Sequence, residues 1–231
     1  MLNYLRESHQ QTRNKVEDFY TSGGIHVYVK NAPDDPSINL EEVIAKVEEA
    51  IPEHLLSEVE MVVVGWFEEF AERELDAFYS DGALYISNVD LDEEELFDNV
   101  VHEIAHSIEE PYGYEIYGDK NIEKEFLSKR LALKDILWAH GYKAPESFYR
   151  DLDYNAAFDE FLYEKIGYDK LALLMQGLFI SPYAATSLKE YFATGFTEFY
   201  LDSDHNFFKM HWPMLYKKIA KLQRINSLDI S

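Results

Sequence analysis

His102-Glu103-Ile104-Ala105-His106 is the stretch of this chain whose residue types and spacing bear most directly on chemistry. On a helix, two histidines four apart lie one turn apart on one face, so both imidazoles reach a single metal ion. Glu103, between them, leans toward the metal's open coordination position. There a carboxylate can take a proton from water and later hand it to a leaving group. The H-E-x-x-H spacing is thus a zinc-site signature when a helix carries it, and the surrounding residues must supply that helix.

The flanking sequence predicts one. Asp90 is placed as an N-cap with Glu93 as its capping-box partner, and the acidic run Asp92-Glu93-Glu94-Glu95 suits the positive end of a helix dipole. Leu96, Val100, Ile104 and Ile108 form one apolar row and Phe97, Val101 and Ala105 a second, the period of a helix packed inside a protein. The helix is expected to start near Leu91 and to run until Pro111 and Gly113 stop it. A catalytic zinc also needs a third protein ligand and an open fourth position. The third ligand is sought in Ser187 to Tyr200, an apolar, helix-like stretch that holds Glu190 and Glu198.

Tyr183-Ala184-Ala185-Thr186, then Glu190-Tyr191-Phe192-Ala193 and Phe196, resemble the C-terminal signature of the anthrax-lethal-factor-like zinc metallopeptidases, a zincin (gluzincin) group that includes Pro-Pro endopeptidases. The resemblance covers Leu91 to Ser107 and Tyr183 to about Leu222. It implies that His102, His106 and Glu190 are the metal ligands, Glu103 the general base and Tyr183 the hydroxyl that meets the oxyanion. Glu109 stands where the family tends to have an aspartate, three residues past His106, a place from which it could orient a ligand, and Glu198 is the fallback third ligand. The chain departs from the family at Thr194, where a second acidic residue is usual. It also departs in the long interval between His106 and Glu190, which is interpreted as a helical insertion. His205 and His211 are weighed as extra ligands and set aside, since lone histidines among aromatics more often pack and hydrogen-bond.

The expected fold is α+β, a zincin-like two-lobed metallopeptidase. Residues 1–110 form an N-terminal lobe with a mixed sheet and helices, ending in the HEIAH helix. Residues 111–231 form a mostly helical lobe. Ile25–Lys30 and Met61–Gly65 have strand patterns, with an amphipathic helix from Leu40 to Ile51 between them. Ala77 to Ile86 has the pattern of a hairpin turning at Asp81-Gly82. Helices are expected at Ile122–His140, Tyr154–Lys165 and Asp169–Leu178. Leu84 to Asn88, and with it Leu84 and Tyr85, is expected either to line the upper wall of a peptide cleft by strand addition or to be a plain structural hairpin. Tyr112 and Tyr114, with Tyr117, are expected in a loop over the metal, where their rings either pack the loop or stack on the proline-rich substrate that the resemblance implies.

The 231 residues carry 21 basic and 44 acidic side chains, a net charge of −23. Such a balance argues against nucleic acid and anionic membrane surfaces as partners and mildly favours neutral or basic peptides. The absence of cysteine removes disulfides and thiolate ligands, leaving nitrogen and oxygen to bind a metal. No secretory leader or membrane span is apparent, so the chain is expected to be cytoplasmic by default, with phage-borne or host-delivered settings open. The reading is a one-zinc endopeptidase acting on peptide or protein, of undetermined oligomeric state. Its rivals are a zinc aminopeptidase and a non-catalytic, for example virion-associated, protein on the same scaffold.

Overall fold

Short β-branched and aromatic runs build the sheet. A computed structural model describes residues 17–73, 75–89, 91–201 and 205–225, and the chain divides into two compact units, one running to Ile108 and one from Glu109 to Ile225. The first unit holds strands β1 (Glu17–Tyr20), β2 (His26–Val29), β3 (Met61–Val64), β4 (Ala77–Ser80) and β5 (Ala83–Ile86) in the order β1-β2-β3-β5-β4. The two inner pairings are parallel and the two outer ones antiparallel. In register, Val27, Val62 and Leu84 align, as do Val29, Val64 and Ile86, and all six side chains are buried. Each contributes about 1.5–3 kcal/mol by leaving water.

Two helices pack on one another in this unit, α1 (Leu40–Ala50) and α3 (Glu93–Ser107); α2 (Glu68–Arg73) lies between them in sequence. Helix α1 buries Leu40, Val43, Ile44 and Val47, and Asn39 caps it by accepting from the Glu42 amide. Helix α3 packs against β4 and β5. Asp81 and Gly82 both adopt positive φ, 48° and 84°, as the expected two-residue hairpin turn requires. The sequence reading does not anticipate β1 or α2, whose short segments carry little period.

The second unit is helical: α4 (Gly113–Tyr117), α5 (Asn121–Ala139), α6 (Ala156–Glu160), α7 (Tyr168–Leu174), α8 (Leu188–Leu201), α9 (His205–His211) and α10 (Pro213–Leu222). Three corrections arise here. Tyr112, Tyr114 and Tyr117 do not sit in a loop, because residues 113–117 close a helical turn whose N-cap is Tyr112. The helix expected from Tyr154 begins at Ala156, because the Asn155 side chain accepts from the Ala157 and Phe158 amides, and it continues as π-helix through Phe161–Ile166. The next one opens at Tyr168 and stops at Leu174 rather than Leu178.

Helices α5, α8 and α10 pack together. Gly195 on α8 faces Leu215 on α10 so closely that a Cβ there would clash with the Leu215 side chain, which explains a glycine in mid-helix. Trp212 has no capping oxygen for α10. Glu125 on α5 serves instead, accepting from the Met214 and Leu215 amides (2.8 and 3.1 Å) and from the buried Tyr191 hydroxyl (2.9 Å). Glu125→Gln keeps the shape but turns an NH2 toward backbone donors. It should cost about 2 kcal/mol in urea unfolding, and a loss below about 0.5 kcal/mol would contradict this capping role.

Candidate metal centre

The HEIAH helix starts two residues later than the sequence suggests. Asp92 is its N-cap, accepting from the Glu94 and Glu95 amides at 2.9 Å each, while Glu95 accepts from the Asp92 amide at 3.1 Å. Asp90 lies outside the described residues. Both frames offer an aspartate three residues before a glutamate. Glu93, the partner expected for Asp90, instead accepts from the Asn39 amide at 3.0 Å and so links the starts of α1 and α3. The helix also ends early, at Ser107, whose hydroxyl donates back to the Ile104 carbonyl at 2.8 Å. Leu96, Val100, Val101, Ile104, Ala105 and Ile108 are buried as their period requires, and Phe97 is half-buried.

His102 and His106 stand half-buried on this helix with ring centroids 5.0 Å apart. Glu103 is 7 % exposed. Glu190 lies in the first turn of α8, where its amide donates to the Ser187 hydroxyl at 3.1 Å. Among the described residues, one group of histidine and acidic side chains could hold a metal ion: His102, His106 and Glu190 each offer one ligand atom, and these atoms lie within 4.8 Å of one another. Two imidazole nitrogens and one carboxylate oxygen, with no thiolate, make a donor set suited to zinc.

Glu109 accepts from the Tyr117 hydroxyl at 3.1 Å and pairs with Lys189, the residue before Glu190, at 3.0 Å. It thereby braces the first turn of α8. Burial pushes the Tyr117 hydroxyl far above its ordinary range, followed by the charge of Glu109, the hydrogen bond to it and the charge of Glu190, so Tyr117 remains a donor. Tyr183 is half-buried on a 3₁₀ turn, Tyr183–Ala185, just ahead of α8. It neighbours Tyr168, whose hydroxyl donates to Asp159 at 2.6 Å.

The turn that carries Tyr183 is held by a residue the sequence reading passes over. Arg130 occupies the apolar row of α5, between Phe126 and Leu133, and is 0 % exposed. Its guanidinium lies over the Phe126 and Phe158 rings and donates to the carbonyls of Ala185, Thr186, Phe148 and Asp151. Burial lowers its pKa to about 10, with Asp151 opposing the shift. An arginine at an i, i+4 core position, in place of an aliphatic residue, is the signal that marks it.

The expected substrate residues fare differently. Strand β5 lies between β3 and β4, so it has no free edge, and Leu84 is wholly buried beneath the sheet; the free edge on that side belongs to β4. Tyr85 is half-buried, stacked on Phe78 at 4.7 Å and edge-on to Phe67 at 5.2 Å. Tyr112 is buried at 3 % exposure, whereas Tyr114 is 84 % exposed. Glu198, His205 and His211 are not in the ligand group. His205 bonds the Phe199 carbonyl and His211 the Gly177 carbonyl, each among aromatic rings.

One more acidic residue stands on the histidine face. Asp98, one turn before His102, has a carboxyl pushed up to about 6 by burial and then by Glu94, Asp92 and Glu95, with His102 pulling the other way. No family model, curated protein or solved structure matches this chain.

Proposed function

We propose that this protein is a zinc-dependent endopeptidase of zincin type, akin to the lethal-factor-like group in its catalytic residues. The observation that carries the reading is the ligand set, two imidazoles one turn apart and the Glu190 carboxylate, with their ligand atoms within 4.8 Å. His102, His106 and Glu190 would hold the ion, whose chemistry is to polarise a carbonyl and make bound water acidic near neutral pH. Glu103, buried between the two ligands on the same rigid helix, takes the proton of the attacking water and delivers it to the departing amine. Tyr183 donates its hydroxyl to the oxygen on which negative charge develops. Glu109, braced by Tyr117 and Lys189, keeps the first turn of α8 in place.

An extended peptide would pair with the outer edge of β4, which is free among the described strands and adjoins the helix bearing the histidines. Tyr114, exposed on α4, offers a ring for an apolar or proline side chain. The net charge of −23 favours neutral or basic sequences over acidic ones. No helix of the described residues is long and apolar enough to cross a membrane.

The test is elemental analysis of purified protein together with cleavage of a peptide library. One zinc per chain is expected, lost in a His102→Ala, His106→Ala double variant, with internal cleavage of peptides that stops on chelation and returns with zinc. Metal-free protein that takes up no added zinc would end the proposal. Cleavage confined to N-terminal residues would favour an aminopeptidase, and zinc without any cleavage a non-catalytic role.

A further inference from the structure

The row that bears His106 and His102 continues one turn back to Asp98. Helical side chains lean toward the N-terminus, so the His102 imidazole tilts over the turn that Asp98 occupies. Asp98 Oδ1 is buried and, among the described residues, accepts no hydrogen bond. Its acidic neighbours Asp92, Glu94 and Glu95 add repulsion. The helix start does not explain it. Asp92 and Glu95 already form the capping box, and Asp98 lies in the second turn, beyond the reach of the dipole's favourable end. A buried carboxylate oxygen without a hydrogen bond, with three like charges nearby and His102 opposing them, burdens the folded chain, and such groups cluster at functional sites.

We propose that Asp98 is a positioning residue of the metal centre: when a metal is bound, its carboxylate would accept from the His102 ring nitrogen not given to the metal and set negative charge one helical turn from the cation. A carboxylate in this role fixes the tautomer of a histidine ligand and raises its basicity. The binding of a dication offsets the repulsion that the metal-free chain carries. The inference deepens the zinc reading above and rests on it.

The experiment compares full-length wild type, Asp98→Asn, Asp98→Ser and Asp98→Glu. Zinc affinity is measured by competition with a chromophoric chelator, the visible spectrum is recorded for cobalt-loaded protein, and the metal-free forms are melted at pH 7.5. Asp98→Asn and Asp98→Ser should bind zinc at least about tenfold more weakly and shift the cobalt bands, while their metal-free forms melt at or above the wild-type temperature. Asp98→Glu should recover part of the affinity. Zinc binding by Asp98→Asn and Asp98→Ser as tight as wild type overturns the inference and leaves the zinc reading standing. The same holds if they bind zinc normally and only melt lower, which marks a structural role. A wild type that binds no zinc overturns the reading itself and the inference with it.

Discussion

Glu103→Gln should leave the chain folded and loaded with zinc while slowing peptide hydrolysis by about 10²–10⁴-fold. Glutamine matches glutamate in volume, so the buried position between the histidines is filled as before. Neither of its terminal atoms can accept a proton from water and release it to an amine. The expected drop corresponds to about 3–5 kcal/mol in the barrier, far more than a misplaced surface charge produces. The measurement is kcat on a library-derived peptide, with zinc content determined on the same sample. A variant that keeps more than a tenth of the wild-type rate at full zinc occupancy would remove Glu103 from the reaction. Loss of zinc together with activity would instead make it part of the ligand sphere.

Arg130→Met is expected to cost about 3–5 kcal/mol of folding free energy, a large share of what a domain possesses. Methionine fills part of the space between Phe126 and Phe158 but donates nothing. The carbonyls of Ala185, Thr186, Phe148 and Asp151 would lose the donor they share. Arg130→Lys should fall between, since an ammonium lacks the planar fork that reaches four acceptors and stacks on two rings. Urea unfolding followed by circular dichroism reads both. If Arg130→Met lowers stability by less than about 1 kcal/mol, the guanidinium does not hold the turn. Because Ala185 and Thr186 directly follow Tyr183 and precede the Ser187 cap of α8, the damage should also reach zinc affinity through Glu190.

The elements with a strong period were legible before any coordinates. Strands β2 and β3, helices α1, α5 and α8 and the Asp81-Gly82 hairpin lie within a residue or two of their expected places, because their apolar runs and turn residues are strong local signals. The start of α3 was not. Two overlapping aspartate–glutamate frames are equivalent locally, and a long-range contact from Glu93 to the Asn39 amide goes with the later one. The edge of the sheet was not legible either. Sequence order places β4 and β5 side by side as a hairpin but does not say which of them continues the sheet, and pairing of Met61 with Ala83 put β5 inside. Leu84 therefore became core rather than substrate wall.

At the candidate site the division is sharper. The sequence by itself determined the two histidines and the glutamate of the HEIAH helix as neighbours, because helical geometry within five residues needs no information from elsewhere. Only the tertiary structure decided what is distant in sequence: the Glu109 contact to Lys189, the Arg130 clasp on the turn after Tyr183 and the burial of Tyr112. Each of these depends on how many apolar contacts pack at once, and a local pattern does not encode which distant backbone a buried arginine or carboxylate will meet.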